Sequence, residues 1–260
     1  MTTTRTESIQ NLRTTWGALD AVAASFTPEQ WIAQSLCPDW NMHGVMVHAA
    51  MIEQAIVGWP PGGEPPFAKF RGIHEELTAL APQDLLARFR SIVSQRLADL
   101  DAMTDEDFAT PGMTPIGPGT YGRFMEIRSF DNWVHERDMR VPLGIPGDDG
   151  GPAAERSLDE VHNSLGYIVG KKIGLVDGQS IAFDISGPVS RMMYVKVDGR
   201  AAVVPSLDDV DATVSSDFLT FMLLACGRID PSEPIAAGSI SWRGDADLGE
   251  RAARNLRFTI

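Results

Sequence analysis

Arg128-Ser129-Phe130-Asp131-Asn132-Trp133-Val134-His135-Glu136-Arg137-Asp138 places a carboxylate and an imidazole four residues apart in a stretch that reads as helix. Side chains at i and i+4 lie one above the other on a helical face, so Asp131 and His135 can close on one divalent cation. His48, in Val47-His48-Ala49-Ala50, is the natural third donor. Two histidines and one carboxylate leave coordination positions open, as a chemically active site requires. On a helical wheel for 121–140, Glu126, Ser129, Asn132, Glu136, Arg137 and Arg140 share one side, expected to be solvated. Asp131 and Asp138 lie opposite, among Phe124, Ile127 and Val134, with His135 and Arg128 at the edge. A charge on a buried face needs a partner or a metal, because uncompensated burial costs several kcal/mol. His48 repeats the pattern, sharing its face with Val45, Ile52 and Ala55, while His43 falls on the polar side with Gln54. Two readings stay open at this point. The three residues hold a metal, or Asp131 and His135 form a structural pair with Arg128 beside a satisfied core histidine.

Outward from this helix, apolar residues keep helical spacing up to about residue 145. The pattern predicts helices over 8–24, from Asn41 to about residue 57, over 82–100 and over 121–140. Thr27-Pro28-Glu29-Gln30 starts a short one, with Thr27 as cap, Pro28 at the first helical position and Gln30 completing a capping box. Trp59-Pro60-Pro61-Gly62-Gly63-Glu64-Pro65-Pro66 breaks the chain. Four long helices with connections of mixed length read as a bundle.

Gly144-Ile145-Pro146-Gly147-Asp148-Asp149-Gly150-Gly151-Pro152 is the clearest linker, and a helix over 154–173 follows it. The period then changes to that of strands over 180–185, 192–197 and 201–204, with a turn at Asp198-Gly199. A helix is expected over 215–226, with Ser216 or Ser215 as cap and Gly227 as stop. A last strand over 239–242 precedes a terminal helix over 247–255. The fold class is therefore α+β: a helical bundle over 1–145, then a small α+β domain over 146–260.

Composition narrows the partners. At 260 residues the chain suits two domains, and 43% hydrophobic with 22% charged residues is ordinary for a soluble globular protein. The net charge of -13 argues against nucleic acid or an anionic membrane surface as partner. The first eight residues carry no apolar signal region, no later apolar run approaches spanning length, and a cytoplasmic location is the default expectation. Cys37 and Cys226 are too few for a disulfide framework or a thiolate-rich zinc site, and read as reduced, partly buried thiols. Cys37 reads as packing ahead of a helix, and Trp40 as core rather than a pocket wall. His74 with Glu75 and Glu76 reads as a solvated charged helix start, and nothing marks His162 as a ligand. Dinucleotide, P-loop and serine-hydrolase motifs are absent.

Ser35-Leu36-Cys37-Pro38-Asp39-Trp40-Asn41 followed by Val45-Met46-Val47-His48 resembles the N-terminal signature of the mycothiol-dependent maleylpyruvate isomerase family. Asp131, His135 and Asp138 resemble its second signature: an acidic residue, three residues, His, two residues, Asp. Leu224-Ala225-Cys226-Gly227-Arg228 and Trp242-Arg243-Gly244-Asp245-Ala246-Asp247-Leu248-Gly249 look like marks of its second domain. The resemblance implies a DinB-like metal-binding four-helix bundle followed by a small sterol-carrier-protein-like α+β domain. It implies His48, Asp131 and His135 as metal ligands, zinc as the metal, and mycothiol as thiol cosubstrate. Asp131 stands where the characterised isomerase has Glu; the shorter side chain shifts the metal or brings a water between. The resemblance also implies that Arg228 serves the reaction, holding a substrate carboxylate or developing negative charge. Asp138 would orient a ligand or a cosubstrate amine.

The expected chemistry is thiolate activation, because coordination deprotonates a bound thiol at neutral pH. The expected function is a metal-dependent, mycothiol-using transferase or isomerase acting on a small electrophile. The alternatives are a non-catalytic small-ligand-binding protein and a hydrolase in which zinc activates water.

Overall fold

The computed structural model describes residues 3–259. The chain divides into two compact units, the first ending at Gly147 and the second beginning at Asp148.

In the first unit, α1 (Arg5–Ala24) opens on a capping box: Thr4 accepts from the Glu7 amide, and Glu7 reaches back to the Thr4 amide. Thr27 and Gln30 make the same device at the start of α2 (Pro28–Trp31). Asn41 caps α3 (Met42–Ala55), its side-chain oxygen accepting from Gly44 N at 2.9 Å. α4 (Phe67–Thr78) follows the Pro/Gly break and begins well before His74, where the sequence pattern places a charged helix start. His74, Glu75 and Glu76 lie in its second half and are solvent-exposed. α5 (Pro82–Ala102) and the short α6 (Asp105–Ala109) lead into a hairpin of β1 (Pro111–Thr114) and β2 (Gly117–Thr120). α7 (Tyr121–Arg140) is capped by Thr120.

The long helices close a ring: α1 packs on α7 and α5, and α3 packs on the same two. Their shared core includes Leu12, Trp16 and Leu19 from α1, Val45 and Met46 from α3, Phe89 and Ile92 from α5, and Tyr121 and Met125 from α7. Each such side chain contributes about 2 kcal/mol when buried.

One expectation for α7 is corrected. Ser129, Asn132, Glu136, Arg137 and Arg140, on the side expected to be solvated, are all buried. Ion pairs within the helix compensate part of their charge. Glu136 accepts from Arg140 Nε at 3.0 Å and pairs with Arg137 at 3.0 Å, and Arg137 stacks 3.6 Å over the Trp133 ring.

The second unit starts with α8 (Gly151–Tyr167), whose last turns widen into a π-helix (Ile168–Ile173) that stops at Gly174, φ +74°. β3 (Ser180–Ser186), β4 (Arg191–Asp198), β5 (Arg200–Val204), β6 (Ala212–Asp217) and β7 (Ile240–Gly244) form one sheet in the order β5-β4-β3-β6-β7. Only the β3–β6 pair is parallel. α9 (Phe218–Ala225), α10 (Ser232–Ala237) and α11 (Ala246–Arg254) complete the unit.

Here the structure corrects a second expectation. Ser215 and Ser216 belong to β6, and Asp217 caps α9 by accepting from Thr220 N at 3.0 Å. Asp217→Ala is expected to destabilise the chain by about 1 kcal/mol in urea unfolding; no change would take the cap away from Asp217.

Candidate metal centre

Two helices supply the site. Asn41 sets the start of α3 and thereby places His48 about two turns in. On α7, Asp131, His135 and Asp138 stand at i, i+4 and i+7 and share a face. His48 Nε2 lies 3.4 Å from Asp131 Oδ2, and His135 Nε2 lies 3.4 Å from Asp131 Oδ1. One donor atom from each of the three falls within 4.8 Å of the others. Exposure declines inward: Asp131 is 30% exposed, His48 20%, His135 6% and Asp138 0%.

The inner side of His135 is fully engaged. Its Nδ1 sits 2.8 Å from Asp138 Oδ2, and Cys37 Sγ donates to the same oxygen at 3.0 Å. With Nδ1–H committed to a carboxylate, Nε2 is the nitrogen presented to Asp131 and His48. The main chain locks this backing, since Leu36 N donates to Asp138 O at 3.0 Å. Ser35 Oγ accepts from Cys37 N and donates to Trp40 O. That turn lays the Trp40 ring against His48, centroids 4.7 Å apart at 30°, and 5.8 Å from His135. Trp40 thus packs half-buried against the core and also walls the site, and Cys37, itself in the core, is hydrogen-bonded to Asp138 as well.

Electrostatics follow from these contacts. Burial pushes the His48 pKa down, against the pull of Asp131. Burial also opposes ionisation of Asp131, but the neighbouring His135 and Arg128 override it and hold its carboxyl well below the usual range. His135 shows the converse: burial opposes its charge, yet Asp131, with hydrogen bonds to Asp138 and Cys37, raises its pKa well above the ordinary value.

Among the described residues, two donor groups could hold a cation, and they share His135 through opposite ring nitrogens. The inner group, Cys37, His135 and Asp138, already satisfies itself by hydrogen bonds. The outer group does not: His48 Nε2 is buried and meets Asp131 Oδ2 at 3.4 Å, but makes no hydrogen bond of good geometry. Two imidazoles and a carboxylate suit a first-row divalent metal, so the outer residues fit the metal that the sequence resemblance implies.

Residues 12–140 match the model of the mycothiol maleylpyruvate isomerase N-terminal domain, and residues 170–257 match that of the SCP-2 sterol transfer family. The chain belongs to the mycothiol-dependent maleylpyruvate isomerase family. Crystal structures of the mycothiol-dependent maleylpyruvate isomerase and of a histidine-to-alanine mutant of it superpose with TM-scores of 0.64 each. They are 15% and 14% identical to the chain, and each alignment covers 92% of this chain and 93% of the other. At that identity the likeness is one of fold. No curated protein matches the sequence.

The expected site residues of this family member divide between its two units. His48, Asp131, His135 and Asp138 are brought together in the first. Arg228 lies in the second, just beyond α9, where its Nη1 donates to Cys226 O at 3.0 Å. Sequence reasoning missed Glu53 and Arg96, which are fully buried and paired at 3.3 Å. Glu53 also accepts from Arg128 Nε at 2.9 Å, and Arg128 Nη1 donates to Asp131. A Glu preceded at i−4 and i−3 by Ala49 and Ala50, small residues that let helices approach, was the available signal.

Proposed function

We propose that this chain is a metal-dependent, mycothiol-using isomerase or S-transferase, with His48, Asp131 and His135 holding a divalent metal, zinc by preference. The observation that carries the reading is the buried Nε2 of His48, which makes no hydrogen bond of good geometry and is gathered with His135 Nε2 and the Asp131 carboxylate. A bound metal would supply the Lewis acidity that keeps a thiol deprotonated at neutral pH.

The chain's own residues do the rest. Asp138 holds the Nδ1 proton of His135 and so fixes which nitrogen faces the site. Arg128 donates to Asp131 and, after His135, helps hold its carboxyl below the usual range. Trp40 covers the face of His48 and limits water on that side. The substrate is a small electrophile. In an isomerase, the thiol sulfur adds to one carbon of a conjugated double bond, the resulting single bond rotates, and elimination restores both the double bond and the thiol. Arg228 is proposed to hold a substrate carboxylate on the strength of the Gly-Arg resemblance alone. No helix among the described residues is long and apolar enough to cross a membrane.

Elemental analysis of the purified protein, paired with turnover assays with and without thiol, tests this. Near-stoichiometric zinc and strictly thiol-dependent turnover are expected. Turnover without thiol would mean activated water, and absence of metal after zinc is added would sink the reading. Chelation is expected to lower the melting temperature, because binding free energy to a folded site is folding free energy; an unchanged curve after verified metal removal counts against a buried three-ligand site.

A further inference from the structure

We propose that Glu53 and Arg128 are positioning residues that fix Asp131, on α7, relative to His48, on α3, and so set the metal affinity of the site. The inference rests on the metal reading above and deepens it.

Four charged groups run in series through the bundle. Arg96 Nε meets Glu53 Oε2 at 3.3 Å, and Glu53 Oε1 accepts from Arg128 Nε at 2.9 Å. Arg128 Nη1 then reaches Asp131 Oδ2 at 2.5 Å, and its Nη2 reaches Asn132 Oδ1 at 3.4 Å. Glu53 and Arg96 are 0% exposed and Arg128 is 3%; only Asp131, at the end of the series, meets solvent. Buried ion pairs rarely stabilise more than apolar residues of the same shape, so core packing alone gives this arrangement little reason to exist. Its direction supplies one, because it ends on a candidate ligand.

The placement along α3 sharpens the point. His48 and Glu53 are on one rigid helix, five residues apart. Glu53 grips Arg128 across the α3–α7 contact, and Arg128 grips Asp131 one turn further along α7. The guanidinium is planar and held at two edges, so it transmits position as well as charge. Freed of that grip, the short Asp131 side chain could turn away from His48.

The test measures zinc affinity by competition with a chromophoric chelator, and the visible spectrum of the cobalt(II)-loaded protein, for parent, Glu53→Gln and Arg128→Lys. Glu53→Gln keeps the shape but loosens the grip on Arg128. Arg128→Lys keeps the charge but cannot bridge Glu53 and Asp131 together. Both are expected to weaken zinc binding by about 10–100-fold, the range for residues that orient a ligand, and to shift the cobalt bands. Each variant's melting temperature without metal shows that it is folded. Folded variants that melt lower but bind zinc like the parent, with an unchanged cobalt spectrum, would overturn the proposal and leave a purely structural network. An Arg128→Lys protein with parent affinity would also overturn it, since charge alone would then suffice. A parent that binds no zinc defeats the underlying metal reading and this proposal with it.

Discussion

His135→Ala is expected to strip the protein of zinc and reduce thiol-dependent turnover to background. His135 is the hinge of the site: Nε2 faces Asp131 at 3.4 Å while Nδ1 is held by Asp138 at 2.8 Å. Its removal takes away a donor and leaves Asp138, fully buried, with an altered set of partners. The effect should exceed the roughly 10–100-fold loss of affinity that follows when only an orienting partner is changed. Asp138→Asn provides that milder comparison, because it alters the acceptor that selects the Nε2 donor. Cys37→Ser, which keeps a donor toward Asp138, should change affinity least. The checks are zinc content, chelator competition and initial rates with thiol. Parent-like zinc in His135→Ala would rule this residue out as a ligand.

Much of the bundle was legible because its helix starts announce themselves locally. Thr27 with Gln30, Asn41 and Thr120 satisfy amide groups within three residues, so each cap is written in a short stretch of sequence. The β1–β2 hairpin was not legible. Pro111-Gly112-Met113-Thr114-Pro115-Ile116-Gly117-Pro118-Gly119-Thr120 is rich in turn residues and lacks strand alternation, and its pairing is the two short strands to each other. β6 was hidden for the opposite reason. Ala212, Thr213 and Val214 are buried in succession between β3 and β7, which erases the period-2 signal, and Ser215-Ser216 imitates a helix cap.

The site shows the same division. The Asp131–His135 spacing lies within one helix and could be read directly. Cys37 meets Asp138 across 101 positions, and Glu53 meets Arg128 across 75; no local period encodes such contacts. The polar side of α7 misled for a related reason. A helical wheel ranks faces by polarity, but Glu136 pairs with both Arg137 and Arg140, which lowers the cost of burying them.

Glu53→Leu is expected to give the largest loss of stability of any single change in the network, about 3–5 kcal/mol. Leucine fills a similar space, so the loss comes from charge rather than from a cavity. Arg96 would keep Ile56 O, the Tyr121 hydroxyl and Asp99 at 3.7 Å, and Arg128 would keep Asp131. Neither would retain the carboxylate that now lies between them, and the fully buried Arg96 would carry most of the uncompensated charge. Adding Arg96→Met removes that charge and should restore most of the stability, so the two changes together cost much less than their sum. Urea unfolding followed by fluorescence suits the comparison, because Trp16, Trp31, Trp40, Trp59 and Trp133 all lie in the first unit. A single substitution costing under about 1 kcal/mol, the ordinary cost of a point mutation, would show that the network is solvated in solution. Equal losses in single and double variants would show that Arg96 stabilises through its aliphatic stem and hydrogen bonds rather than by its charge opposite Glu53.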